Sequence, residues 1–171
     1  MRAKLIVAGR EFPIEIQDPE LQKLLKPQKK TGYERVEELN FYYYVDSENN
    51  VATAREHNQY ADDVLYEAAN YYLDRTVAEN NARADKLMRQ LRRFAVEHRK
   101  TDLNFCDEEQ TLYYICYYDF GEDCTLDFDC ECQYPRQHGV IYFDSVDAVK
   151  LAIETFHDEL IWYFTEYKDS L

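Results

Sequence analysis

The stretch from Asp74 to Lys100 constrains this chain more than any other. Ala84, Leu87, Met88, Leu91, Phe94 and Ala95 recur at a helical period, which predicts a long helix with one apolar face. Thr76 and Glu79 form a capping box at its start. Arg89, Arg92, Arg93 and Arg99 fall in its second half, where cations suit the helix dipole.

Strand-like runs surround this helix. Lys4 to Ile16 reads as a hairpin turning at Ala8-Gly9-Arg10, with Pro13 marking an edge strand. Asp18 and Pro19 then start a short helix that Pro27 ends, and Pro27 to Gly32 reads as a linker. Tyr33–Val36 reads as a short strand and Phe41–Val45 as a stronger one. Asp46 to Asn50 is a turn, and Val51–Ala54 returns. Residues 55–70 read as a loop or one helical turn, and Asn70–Leu73 as a strand. After the long helix come strands at Leu112–Tyr118, Thr125–Tyr134 and Gly139–Phe143. Ser145 then caps a last helix carrying Val149, Ala152, Ile153, Phe156, Leu160, Ile161 and Phe164 on one stripe. The fold class is α+β: antiparallel β-meanders packed against one long central helix and a C-terminal helix. Residues 1–30 form a hairpin and short-helix arm, and 31–171 the core domain. No repeat of 20–50 residues runs through the chain.

Composition supports a packed core. Of 171 residues, 46% are hydrophobic, with 16 Tyr and 9 Phe, enough to fold without disulfides or metal. No apolar run reaches the ~18 residues of a membrane-spanning helix. Leu5 to Ala8 is too short for a signal peptide, so the five cysteines read as reduced thiols in a cytosol.

Charge is distributed unevenly. The net charge is −14, and residues 101–171 alone carry that amount, while residues 76–100 are basic. An acidic chain is a poor nonspecific nucleic-acid binder. Within the acidic region, Leu126-Asp-Phe-Asp-Cys-Glu-Cys132 alternates strictly. Strand parity puts Asp127, Asp129 and Glu131 on one face, about 6.8 Å apart, and Leu126, Phe128, Cys130 and Cys132 on the other. Asp119, Glu122 and Asp123 flank the ladder. Two readings stand: a solvated face that keeps an edge strand from aggregating, or a partner surface that imitates a phosphate backbone.

Other constellations carry less chemistry. Cys124, Cys130, Cys132 and His138 are spaced unlike a paired zinc knuckle; the cysteines read as core thiols, with a metal site as the alternative. His57, His98, His138 and His157 lie in no catalytic motif, and no phosphate-cradling glycine loop occurs, so no cofactor is implied. The basic run Arg83, Lys86, Arg89, Arg92, Arg93, Arg99 and Lys100 would contact RNA, pair with the chain's own acidic strands, or meet a second copy in a homodimer.

Gly32-Tyr-Glu-Arg-Val36, Tyr42-Tyr-Tyr-Val-Asp46 and Ala69-Asn-Tyr-Tyr72 resemble a family of phage and prophage proteins of Firmicutes. So do Leu91-Arg-Arg-Phe-Ala-Val-Glu-His98, Tyr113-Tyr-Ile-Cys-Tyr-Tyr-Asp119 and Gly139-Val-Ile-Tyr-Phe143. The resemblance covers nearly the whole chain except 122–132. It implies a phage gene acting in a bacterial cytoplasm and carries over no active-site residues. The resulting expectation is a non-enzymatic counter-defence inhibitor of the anti-CRISPR kind. Its acidic face, Asp119, Glu122, Asp123, Asp127, Asp129 and Glu131, would bind a basic nucleic-acid-handling host protein such as a Cas effector, with no membrane and no direct nucleic acid. The alternatives are a small metal-dependent nuclease or nucleotide hydrolase, and a self-assembling accessory protein.

Overall fold

A computed structural model gives the fold. The structure describes residues 2–7, 10–19, 30–105, 107, 109–119, 124–131 and 137–170; for residues 2–7, 10, 11, 124 and 131 it describes the backbone alone. The chain divides into two units, Met1–Thr31 and Gly32–Leu171.

In the first unit, β1 (Arg2–Val7) pairs antiparallel with β2 (Arg10–Glu15), from Arg2↔Glu15 to Val7↔Arg10. Pro13 lies opposite Lys4, and in a two-stranded sheet a residue without an N–H has a free side to face. The short helix expected after Asp18 falls on residues 20–29, outside the described residues.

The second unit is α+β, with antiparallel hairpins against a long helix and C-terminal helices. It contains β3 (Phe41–Val45), β4 (Val51–Arg55), α1 (Tyr60–Glu67) and α2 (Arg75–Glu97). After these come β5 (Leu112–Asp119), β6 (Cys124–Glu131), α3 (Val146–Thr155) and α4 (His157–Thr165). These elements fall into two blocks of one design. In the first block, β3 and β4 pair from Phe41↔Arg55 to Val45↔Val51. Tyr72 then bridges the free side of β3 at Tyr43, with both N–H···O bonds at 2.8 Å. Asp74 next caps α2, accepting from the N–H groups of Thr76 and Val77. In the second block, β5 and β6 pair from Leu112↔Glu131 to Asp119↔Cys124. Phe143 bridges β5 at Tyr113 through bonds of 2.9 and 2.8 Å. Ser145 then caps α3, accepting from Ala148 N–H. Val77 and Ala78 are buried just after the first cap, and Ala148 and Val149 just after the second. The two blocks share this spacing and little residue identity, so sequence periodicity does not reveal them.

Helix α2 serves both blocks. Its first turns place Val77 and Ala78 with Tyr72 against Tyr33, Tyr43, Val45 and Val51. Its later turns place Leu87, Leu91, Phe94 and Ala95 with Phe143, Val149, Ala152 and Leu160. Leu126, Phe128, Tyr113 and Ile115 close the second core from the sheet side.

Several expectations are corrected. Tyr33–Val36 is irregular, and 139–143 contributes a single bridge at Phe143 instead of a strand. The 55–70 region forms the two-turn helix α1, whose first turn is closed by Asp62 accepting from Gln59 N–H at 3.0 Å. Asp74 caps α2 in place of Thr76. The last helix breaks at Phe156, whose ring packs edge-on against Phe94 at 5.5 Å. Residues 132–134, the end of the strand expected over Thr125–Tyr134, lie outside the described residues. No described helix is long and apolar enough to cross a membrane.

Candidate functional site

The β5–β6 hairpin has two distinct faces. Tyr113, Ile115, Leu126 and Phe128 turn toward the core. Tyr114, Cys116, Tyr118, Thr125, Asp127 and Asp129 occupy the opposite face by strand parity, and Thr125, Asp127 and Asp129 are exposed. Neither strand contains a lysine or arginine.

The bridge at Phe143 sets what the acids do. Both backbone groups of Tyr113 bond Phe143, so they point away from β6. Tyr113↔Cys130 is therefore a non-hydrogen-bonded pair, and so are Ile115↔Phe128 and Tyr117↔Leu126. The backbone groups of Leu126, Phe128 and Cys130 consequently face off the outer edge of β6. Three outer-face side chains bend over to meet them. Phe128 N–H donates to Asp127 Oδ1 at 2.8 Å and Cys130 N–H to Asp129 Oδ1 at 2.7 Å. The Thr125 hydroxyl donates to the Leu126 carbonyl at 3.3 Å. Asp129 also accepts from the Tyr118 hydroxyl through Oδ2 at 3.4 Å. Asp127 and Asp129 thus shield an edge strand, as exposed charges on natural sheet edges do, and still present their charge to solvent.

Tyr118 and Cys116 are hydrogen-bonded to each other. That bond, with the charge of Asp129 and of the Cys116 thiolate that forms at alkaline pH, pushes the Tyr118 phenol up to about 12. Burial pushes the Cys116 thiol above its ordinary value, so it is a neutral thiol at pH 7 rather than a nucleophile.

Of the six expected contact residues, Asp119, Asp127 and Asp129 are described with their side chains. Asp127 and Asp129 share the exposed face. Asp119 has the parity of Ile115 and Tyr117, so it leaves the turn end of the hairpin from the opposite side. Glu131 is described by its backbone, opposite Leu112. Glu122 and Asp123 lie outside the described residues. Cys130 is exposed, contrary to the expected core thiol. Its parity is inward, but β6 is the outer strand and, among the described residues, no core residue packs over it there. Among the described residues no three metal-ligating side chains converge; Cys132 and the Cys124 side chain fall outside them. Two of the four histidines make local side-chain contacts: His98 stacks on Phe94 at 3.8 Å, and His157 Nδ1 lies 3.1 Å from Asp158.

Among the described residues, Arg83, Arg93 and Lys100 of the basic run pair with helical acids, and none of the run pairs with Asp119, Asp127 or Asp129. Arg83 forks onto Glu159 of α4 at 2.7 and 3.1 Å and lies 3.9 Å over the Trp162 ring. Arg75 meets Glu79 at 2.8 Å, Arg93 meets Glu97 at 3.7 Å, and Arg89 bonds Asn49. Lys86 and Arg92 make no ion pair among the described residues.

Sequence reading missed a buried polar cluster in the first block. Glu56 is 0% exposed. It takes the Arg35 fork at 3.0 and 2.9 Å, the Tyr71 hydroxyl at 2.8 Å and Asn58 N–H at 2.8 Å. Asp62, also buried, takes the Tyr42 hydroxyl at 2.8 Å and the N–H groups of His57 and Gln59 at 3.0 Å. The Arg35 guanidinium, against the opposing effect of burial, holds Glu56 below its ordinary value. Burial works to raise Asp62, but donors from Gln59, His57 and Tyr42 outweigh it and hold it low. Every partner is internal and the carboxylates are saturated, so the cluster is a clasp that fastens α1 to the first sheet rather than an active site. The abundance of tyrosine was its only trace in the sequence.

The chain matches no protein-family model, no curated protein and no solved structure.

Proposed function

We propose that this protein is a non-enzymatic binding module of phage origin, acting in a bacterial cytoplasm as a counter-defence inhibitor. It docks the outer face of β5–β6 onto a basic, nucleic-acid-handling host protein of the Cas-effector kind. The observation that supports this reading is the exposed pair Asp127 and Asp129 on a hairpin whose two strands hold no basic residue. Tyr118 joins them through its bond to Asp129, giving the face an aromatic element of the type enriched in interfaces. Complementary charge would steer the encounter with a Lys/Arg-lined channel. The resemblance to phage proteins supplies the biological setting.

The two roles of the acids can be separated chemically. Asp127→Asn with Asp129→Asn keeps an oxygen for the Phe128 and Cys130 N–H groups and removes both charges. Capture of host proteins on the tagged full chain, with and without nuclease, identifies the target. The double variant should then bind it at least tenfold more weakly while unfolding at the wild-type midpoint. Unchanged affinity would overturn the acidic-face reading.

A further inference from the structure

The two hairpins end in opposite kinds of edge. On β3, both backbone groups of Tyr43 bond Tyr72, and those of Val45 are taken by the Asn70 side chain, whose amide accepts and donates at 2.8 Å. Tyr43↔Thr53, Val45↔Val51 and Phe41↔Arg55 are therefore non-hydrogen-bonded pairs. The N–H and C=O groups of Val51, Thr53 and Arg55 consequently point off the far side of β4, and among the described residues nothing bonds them. On β6 the residues before the outward N–H groups of Phe128 and Cys130 are Asp127 and Asp129, which cover them. On β4 the residues before Thr53 and Arg55 are Ala52 and Ala54, which have no oxygen to offer.

We infer that the open edge of β4 pairs with β4 of a second copy of this chain. The run Val51-Ala-Thr-Ala-Arg55 is self-complementary when two copies run antiparallel about Thr53. Thr53 then faces Thr53, and Val51 faces Arg55, each pair exchanging both backbone bonds. Threonine opposite threonine is a favourable cross-strand pair. Arg55 is the only charged residue of β4, so no like charges meet across the seam. It arrives instead at the end of β4 that carries the Asp46–Asn50 turn, with Asp46 and Glu48. An edge this short falls at the weak end of interface sizes, below about 1,200 Å², so association is expected at micromolar concentrations. This surface is distinct from the β5–β6 face and stands independently of the function proposed for it.

Sedimentation equilibrium of the full chain tests the pairing. The wild type should show a concentration-dependent monomer–dimer equilibrium. Amide exchange at Val51, Thr53 and Arg55 should slow as concentration rises. Thr53→Pro removes an N–H that bonds nothing among the described residues and should raise the dissociation constant at least tenfold. Ala52→Asp copies the β6 shield onto Thr53 and should do the same, which keeps the test decisive if the proline variant fails to fold. A wild type that stays monomeric throughout overturns the inference. So does a dimer that tolerates both substitutions, or one that 0.5 M salt dissolves while the β4 amides stay unprotected.

Discussion

The two blocks of the second unit share a hairpin, a one-residue bridge and a capped helix, yet they are held together by different forces. The first block closes over Glu56 and Asp62, two buried carboxylates saturated by Arg35, Tyr71, Tyr42 and backbone donors. The second closes over an apolar core of Leu91, Phe94, Phe143, Val149 and Leu160. Their edges differ in the reverse sense, with the carboxylates outside on β6 and none on β4. One design therefore carries its acids inside in one copy and outside in the other. Buried acids give directional fastening that depends on ionisation. Exposed acids give edge protection and a field.

The largest effects should come from breaking each block by its own means. Glu56→Ala leaves the Tyr71 hydroxyl and Asn58 N–H without their acceptor and Arg35 with Asp63 as its remaining carboxylate at 2.7 Å, and each buried polar group left unsatisfied costs about 1–3 kcal/mol. Leu160→Ala in the second core should cost about 2–5 kcal/mol through lost burial and the cavity left behind. Urea unfolding at pH 7 would then give similar penalties from unlike causes. Acid separates them. Glu56 is held below its ordinary value when folded. Its contribution is therefore full above the unfolded value of about 4.3 and fades as pH falls through the folded value. The Glu56→Ala penalty should shrink below about pH 4, while the Leu160→Ala penalty should not change. Equal pH slopes for the two variants would refute an ionic clasp in the first block.

The same contrast explains what could be read in the sequence. Helix α2 was legible because six apolar residues repeat at a helical period and one face must be buried. The face shared by Asp127 and Asp129 was legible because parity in a strand is binary. What those acids bond was not. Which N–H groups face outward depends on the register against Phe143, a contact between segments distant in the chain. The bridges at Tyr72 and Phe143 involve one residue each and leave no period. The Glu56 clasp gathers side chains from several separated segments, so no local window contains it. Cys130 shows the limit of parity, which assigns a face but does not say whether anything covers it.

A smaller effect tests whether the blocks unfold as one. Arg83 sits on α2 between the residues that serve the first core and those that serve the second, and it reaches Glu159 and Trp162 on α4. The two charged side chains are 42% and 43% exposed, so the ion pair is substantially screened. The ion pair and the stacked guanidinium together are expected to contribute about 1–1.5 kcal/mol. Arg83→Ala should lower stability by that amount, and Glu159→Gln by less, because stacking on Trp162 survives it. Raising salt to 1 M should narrow the gap between wild type and Glu159→Gln while leaving the stacking part of the Arg83→Ala penalty in place. Arg93→Ala, whose partner Glu97 lies at 3.7 Å on an exposed stretch of the same helix, should be nearly neutral. If Arg83 couples the blocks, amides of α1 and α3 should exchange at one free energy in the wild type and at different free energies in Arg83→Ala. Coincident exchange in Arg83→Ala would place the coupling in the shared apolar face of α2 instead.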